Sequence, residues 1–234
     1  MGRLFAAFLS AGLALLALSG ALSAQEWKQE QKAEQKPDAQ QAQKAPLEER
    51  QISRLPPLPQ PLDPILQEMF AKRRAQGGDI INLQIATGHA PQFTRAASAM
   101  AFTIRFDAQT PRRLRELIIM RTAQIVGSTY EINQHIPLMK MCGYSETQIA
   151  ALPQWQASNL FDDKERATLA YVEQMAHGGD VDDPTFAGLQ KFFTPREIVE
   201  ITYTVGSYYA NGLLTKALRI EVENDGRETV AGKC

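Results

Sequence analysis

The stretch from Thr110 to Leu152, TPRRLRELIIMRTAQIVGSTYEINQHIPLMKMCGYSETQIAAL, decides the fold. Pro111 stands where a helix tolerates proline, in its first turn, and opens an apolar-periodic run that Gly127 breaks. A second run covers roughly Thr129 to Met141, and Gly143 closes it. Pro137 lies inside that second helix, removes the bond to the Asn133 carbonyl and should kink it. These two predicted helices carry Glu116, Ser128, Glu131 and His135, the side chains best suited to chemistry.

Working outward, almost every helical run has a named start and stop. Asp63-Pro64 caps ILQEMFAKRRAQ, which Gly77-Gly78 ends. A short turn and then a helix follow from Pro91, with Phe93, Ala97, Met100 and Ala101 expected to face inward. Ser145 with Gln148, Asp162 with Glu165, and Thr194 with Glu197 form three capping boxes. Asp183-Pro184 starts another helix, and the last is expected to run on as far as Glu223. No segment alternates as a strand does, so the fold class is all-α.

Residues 1–24, MGRLFAAFLSAGLALLALSGALSA, hold one charge, Arg3, before a short apolar run ending in small residues. This is the pattern of a secretory signal peptide, the alternative being an uncleaved anchor helix. Residues 25–61 are rich in Gln, Lys, Glu, Ala and Pro and poor in large apolar side chains until Leu55. Such composition predicts a disordered tether, though Leu55-Pro-Pro-Leu-Pro also suits packing against the domain or a subunit, or service as a proline-motif ligand. Residues 62–234 form the helical domain. The expected location is periplasmic or secreted, an oxidising setting in which Cys142 and Cys234 either pair or stay apart; a C-terminal cysteine on a mobile tail is a poor staple. With 25 basic and 26 acidic residues, the chain has no basic field to attract nucleic acid.

Glu131 and His135 are four residues apart and share a helix face. A carboxylate beside an imidazole suits general acid/base work, and equally suits a buried structural pair. Glu116 has two readings: set among Ile119, Met120 and Ala123, where desolvation would raise its pKa, or turned to solvent with Arg112, Arg113 and Arg115. Arg121 falls on the apolar stripe and needs a buried acid or an anionic ligand. Glu-x-x-x-His is half a metal site at most, and no metal or cofactor is expected. No Cys-x-x-Cys occurs, so a dithiol mechanism is absent.

The order R-x-R-E-L-I-I-x-R, G-S-x-Y-E-x-x-x-H and G-Y-S-x-x-Q-I-A-A-L, followed by FDDKERATLAYVEQM and TPREIVEITYTVGSYYANGLL, resembles the carboxymuconolactone decarboxylase family and its alkylhydroperoxidase D relatives over roughly Leu62 to Val222. The resemblance implies a compact helical bundle that assembles into trimers or hexamers. It places the family's proton-relay glutamate at Glu116 and its histidine at His135. Where the peroxidase branch has two cysteines, this chain has Ser128 and Glu131. Taken with the leader-like residues 1–24, the resemblance implies an exported small-molecule enzyme doing decarboxylation, isomerisation or lactone chemistry on a substrate other than that of the family's namesake reaction. His135, Glu131 and Glu116 would be catalytic, and Arg121 and Ser128 would hold a carboxylate or lactone substrate. A non-catalytic oligomeric scaffold of the same fold, and a thiol role for Cys142, are the alternatives. No membrane span is expected after signal cleavage.

Overall fold

The computed structural model describes residues 50–223 and Cys234. The chain divides into two units, Met1–Lys44 and Ala45–Cys234, and the first lies outside the described residues together with the expected signal peptide. The described part is helical, with no strand among its residues. In chain order the helices are α1 (Pro64–Ala75), α2 (Asn82–Thr87), α3 (Pro91–Phe102), α4 (Arg112–Val126), α5 (Thr129–Met141), α6 (Glu146–Ala151), α7 (Asp163–Gly178), α8 (Asp183–Gln190) and α9 (Pro195–Leu218). A π-helical turn, Thr103–Asp107, follows α3, and a 3₁₀ turn, Leu152–Ala157, follows α6.

The helix starts follow local chemistry. Asp63 accepts from the Ile65 amide at 2.8 Å, and the three capping boxes at Ser145, Asp162 and Thr194 all form. Gly127 ends α4 at φ 71°, a conformation that costs a glycine nothing, and so turns the chain directly into α5. Helix α5 runs through Pro137.

Helix α4 is the axis. Leu117, Ile118, Ile119, Met120 and Ala123 are fully buried, because α5, α7 and α9 all pack against it. Side chains of this size contribute roughly 1.5–3 kcal/mol each when buried. The main core gathers Leu114, Leu117 and Met120 with Met139, Leu152, Leu169, Val172 and Ile201.

Three boundaries differ from the sequence reading. Residues 50–61, expected to belong to a disordered tether, pack onto the domain: Ile52 and Leu58 are buried with Leu66, Phe70, Ile85 and Ile220. The arm is held by Arg54 N–H to the Leu218 carbonyl at 2.8 Å and Glu221 N–H to the Ile52 carbonyl at 2.9 Å. The packing of Leu58 is the one the Leu55-Pro-Pro-Leu-Pro segment allowed for, whereas Ile52, lying outside that segment, gave no such sign. Helix α9 stops at Leu218, where Arg219 adopts φ 50° without any glycine to signal it. On α3, Phe93 and Met100 face outward at 80% and 39% exposure, and Thr94 is its buried residue. Among the described residues nothing lies over that face. It adjoins the exposed Tyr203 of α9 across an open groove that Thr202, Gly206 and Ser207 also line.

Cys142, at the end of α5, forms a disulfide with Cys234, their Cα atoms 5.0 Å apart. Among the described residues no helix is long and apolar enough to cross a membrane. Because the bridge ties the chain end to α5, Cys234→Ser should lower stability by about 2–4 kcal/mol. Urea unfolding of both proteins, with and without reductant, checks this: reductant should bring the unsubstituted protein down to the variant and leave the variant unchanged.

Candidate acid–base site

Glu116 is fully buried on α4, and both of its oxygens are engaged. Arg112, one turn earlier, donates its Nε–H to Oε1 at 2.5 Å. His135 of α5 lies 2.7 Å from Oε2 through Nδ1. An ionised carboxylate carries no proton to share, so Nδ1 bears the hydrogen and Nε2 is left facing the other way. There Glu131, one turn before His135, places Oε2 at 3.6 Å from Nε2. That separation is too long for a hydrogen bond and short enough for one small group to be shared between them. The order in space is therefore Arg112, Glu116, His135, Glu131.

The surrounding elements hold this line of groups in place. Arg112 Nη1 donates to the Arg105 carbonyl of the π-helical turn at 3.2 Å, and Arg115 Nη2 donates to the same carbonyl at 3.1 Å. Tyr208 of α9 meets His135 edge-on, ring centroids 5.1 Å apart at 86°. Gly212 lets α9 approach this closely: a Cβ there would lie 2.9 Å from Val126 Cγ1. Among the described residues, the buried Arg112 Nη2, Arg115 Nε and Glu131 Oε1 have no hydrogen-bond partner.

The two carboxyls differ in charge preference. Burial pushes Glu116 up, but the charge and hydrogen bond of His135, joined by those of Arg112, outweigh it and hold the group below the usual carboxylate range. Of the two sequence readings of Glu116, one had burial raise its pKa and make it a proton carrier. The bonds to His135 and Arg112 reverse this, and Glu116 is the charged partner that orients His135. Glu131 goes the other way, raised first by burial and then by the Glu223 charge, with His135 opposing. Burial and the nearby Glu131 and Glu116 charges also keep the Tyr208 phenol from ionising.

The other two candidates sit elsewhere or serve the scaffold. Arg121 donates through Nε to Glu173 of α7 at 2.6 Å, a carboxylate that also accepts from Trp155 Nε1 at 2.9 Å. Ser128 caps α5 by accepting from the Glu131 amide at 3.2 Å, and its hydroxyl lies 2.8 Å from that of Thr215. Among the described residues no group of three His, Cys, Asp or Glu side chains has metal-binding geometry. Arg112 was signalled by its i, i+4 spacing to Glu116. Tyr208 had no signal, because its relation to His135 exists only through the packing of α9.

The opposite directions at the two carboxyls predict opposite stability effects. Glu116, with a lowered pKa, stabilises the fold above the ordinary carboxylate range, and this is lost as pH falls through its folded pKa. Glu131, with a raised pKa, favours the fold when protonated, and its contribution declines as pH rises from the ordinary range through the raised value. Glu116→Gln should cost about 3–5 kcal/mol at neutral pH, because Arg112 is left buried and unpaired, and less in acid. Glu131→Gln should be neutral or stabilising at neutral pH. Thermal unfolding of both variants across pH measures these signs.

Residues 91–174 match the model of the Carboxymuconolactone decarboxylase family, a span that contains Arg112, Glu116, Glu131 and His135. No curated protein sequence matches the chain. Among solved structures, an uncharacterized peroxidase-related protein from Silicibacter sp. TM1040 is 17% identical, with a TM-score of 0.67 over 76% of this chain and 96% of that one. A peroxidase-related protein with an alkylhydroperoxidase AhpD core, from Ralstonia eutropha JMP134, is 16% identical with a TM-score of 0.66, covering 74% of this chain and 94% of that one. The debrominase Bmp8 is 19% identical with a TM-score of 0.60, covering 75% of this chain and 93% of that one. At these identities the structural likeness is one of fold, and it agrees with the family match on the stretch that bears the site. Residues 91–174 thus resemble the Carboxymuconolactone decarboxylase family in sequence, and the chain shares its helical fold with proteins built on an alkylhydroperoxidase AhpD core.

Proposed function

We propose that the protein is an exported small-molecule enzyme that moves a proton at a carbon beside a carbonyl, in a decarboxylation, isomerisation or lactone reaction. The observation that carries this is the line of Arg112, Glu116, His135 and Glu131, with His135 Nδ1 tied to a charged carboxylate and Nε2 facing a carboxyl of raised pKa. In this reading His135 Nε2 takes or returns the proton. Glu116 fixes the imidazole tautomer and stabilises the imidazolium that forms, while Glu131 supplies a proton to the oxygen on which negative charge develops. Thiol peroxidase or cysteine-dependent chemistry at this site is not part of the proposal. Ser128 and Glu131 stand at the two cysteine positions of the peroxidase branch, and the two cysteines of this chain are joined to each other.

The leader-like residues 1–24 and the disulfide support a periplasmic or secreted location. The uncovered apolar side chains of α3 and α9, namely Phe93, Met100, Val199, Tyr203 and Leu213, support a homo-oligomer, a trimer or hexamer, in which copies cover this face. A charge placed in its middle, Tyr203→Glu, should then shift the sedimentation coefficient to that of the monomer; an unchanged coefficient rejects this face as the contact.

The proton-transfer reading is tested by solvent deuterium exchange into a panel of lactones, keto acids and unsaturated carboxylates. His135→Gln should slow exchange about 10²–10⁴-fold, and Glu131→Gln should slow it less. Exchange that survives loss of His135 rejects the assignment. The competing reading, a scaffold in which Glu116 and His135 merely join α4 to α5, draws on their near-complete burial. It predicts no exchange with any compound and no ligand that perturbs the His135 ring signals.

A further inference from the structure

Two carboxyl groups approach the N-terminal half of α5, and their donor partners differ sharply. Glu223, on the segment following α9, is supplied from three directions. Tyr130 donates its hydroxyl to Oε1 at 2.8 Å, and the Asn82 amide, first in α2, donates to the same oxygen at 2.6 Å. The Gln134 side-chain amide donates to Oε2. Tyr130 and Gln134 immediately precede Glu131 and His135 in the chain, so Glu223 is bonded to the side chains that flank the site residues on α5. Glu131, by contrast, is buried, receives no hydrogen bond at Oε1, and has Oε2 beyond hydrogen-bond reach of Nε2.

Negative charge is stable where donors converge and unstable where a buried oxygen has none. We propose that Glu223 and Glu131 form a carboxyl pair of divided roles, in which Glu223 gathers the hydrogen-bond donors and Glu131 holds the site's proton beside His135 Nε2. Glu223 is then a positioning residue, acting through Glu131. The groups that face Glu131 are His135 and Tyr130 on α5, Tyr208 on α9, and Glu223; Glu116 and Arg112 of α4 lie beyond the imidazole. Burial and the Glu223 charge act on Glu131 in the same direction, and His135 alone opposes them.

The consequence for binding rests on the proton-transfer reading above. A substrate entering beside Nε2 meets a hydrogen-bond donor at Glu131 rather than an anion, so that edge accepts a carbonyl or lactone oxygen.

The test uses the full-length protein without substrate. At a pH where ordinary carboxylates are ionised, infrared spectroscopy should show a protonated-carboxyl C=O band that Glu131→Gln removes. In Glu223→Gln the midpoint at which that band titrates should fall by about one pH unit. Should that variant fail to fold, Tyr130→Phe takes one donor from Glu223 and should lower the midpoint in the same direction by less. A band that survives Glu131→Gln, or a midpoint that neither variant moves, overturns the proposal. Because the readout needs no turnover, a protein that shows the divided pair but exchanges no substrate proton would reject the enzymatic reading and leave the pair standing.

Discussion

A carboxylate taken wholly out of water must find its counter-charges within the protein or give up its own charge. Glu116 keeps its charge because Arg112 and His135 each engage one oxygen. Much of the architecture serves that arrangement. Helix α4 must be buried on every side to bring Glu116 inward. The turn at Gly127 must be tight enough to lay α5 alongside. The π-helical turn must present the Arg105 carbonyl that fixes Arg112.

From that anchor the remaining chemistry follows outward. With Nδ1 committed to Glu116, the imidazole has one working edge, and Glu131 lies along it. The acid of lower pKa therefore orients the histidine and the acid of higher pKa faces its free nitrogen, a separation of roles produced by environment alone. The peroxidase-related neighbours and the debrominase share the fold, and at this level of identity a shared scaffold does not transfer chemistry. At this site a cap hydroxyl, Ser128, and a carboxyl, Glu131, stand at the start of α5, and the reading rests on them.

The second, smaller core has a separate role. Ile52, Leu58, Leu66, Phe70, Ile85 and Ile220 bring together the N-terminal arm, α1, α2 and the segment after α9. Tyr130 belongs to this cluster and also donates to Glu223, so the packing of residues 50–61 and of the segment after α9 is coupled to the helix that bears Glu131 and His135. The disulfide fastens the last residue to the other end of that helix.

The helices were legible in the sequence because their signals are local. The Asp63, Ser145, Asp162 and Thr194 caps and the Gly127 stop act within a few residues, and a side chain that satisfies an amide three positions away leaves its mark in the order of residues. The i, i+4 relation of Glu131 to His135 was legible for the same reason. The direction of each acid's pKa was not, since it depends on Arg112 turning toward Glu116 rather than toward solvent. Nor did the sequence reveal the packing of Ile52, the outward face of α3, the edge of Tyr208 on His135, or the reach of Glu223 to Tyr130 and Gln134. These contacts join segments far apart in the chain, and no periodicity records them. What the sequence determined by itself was the all-α fold, its helix boundaries to within the last helix, and the residue types of the site. Tertiary structure alone decided which of those residues meet and which carboxyl keeps its charge, because burial and counter-ions are properties of packing.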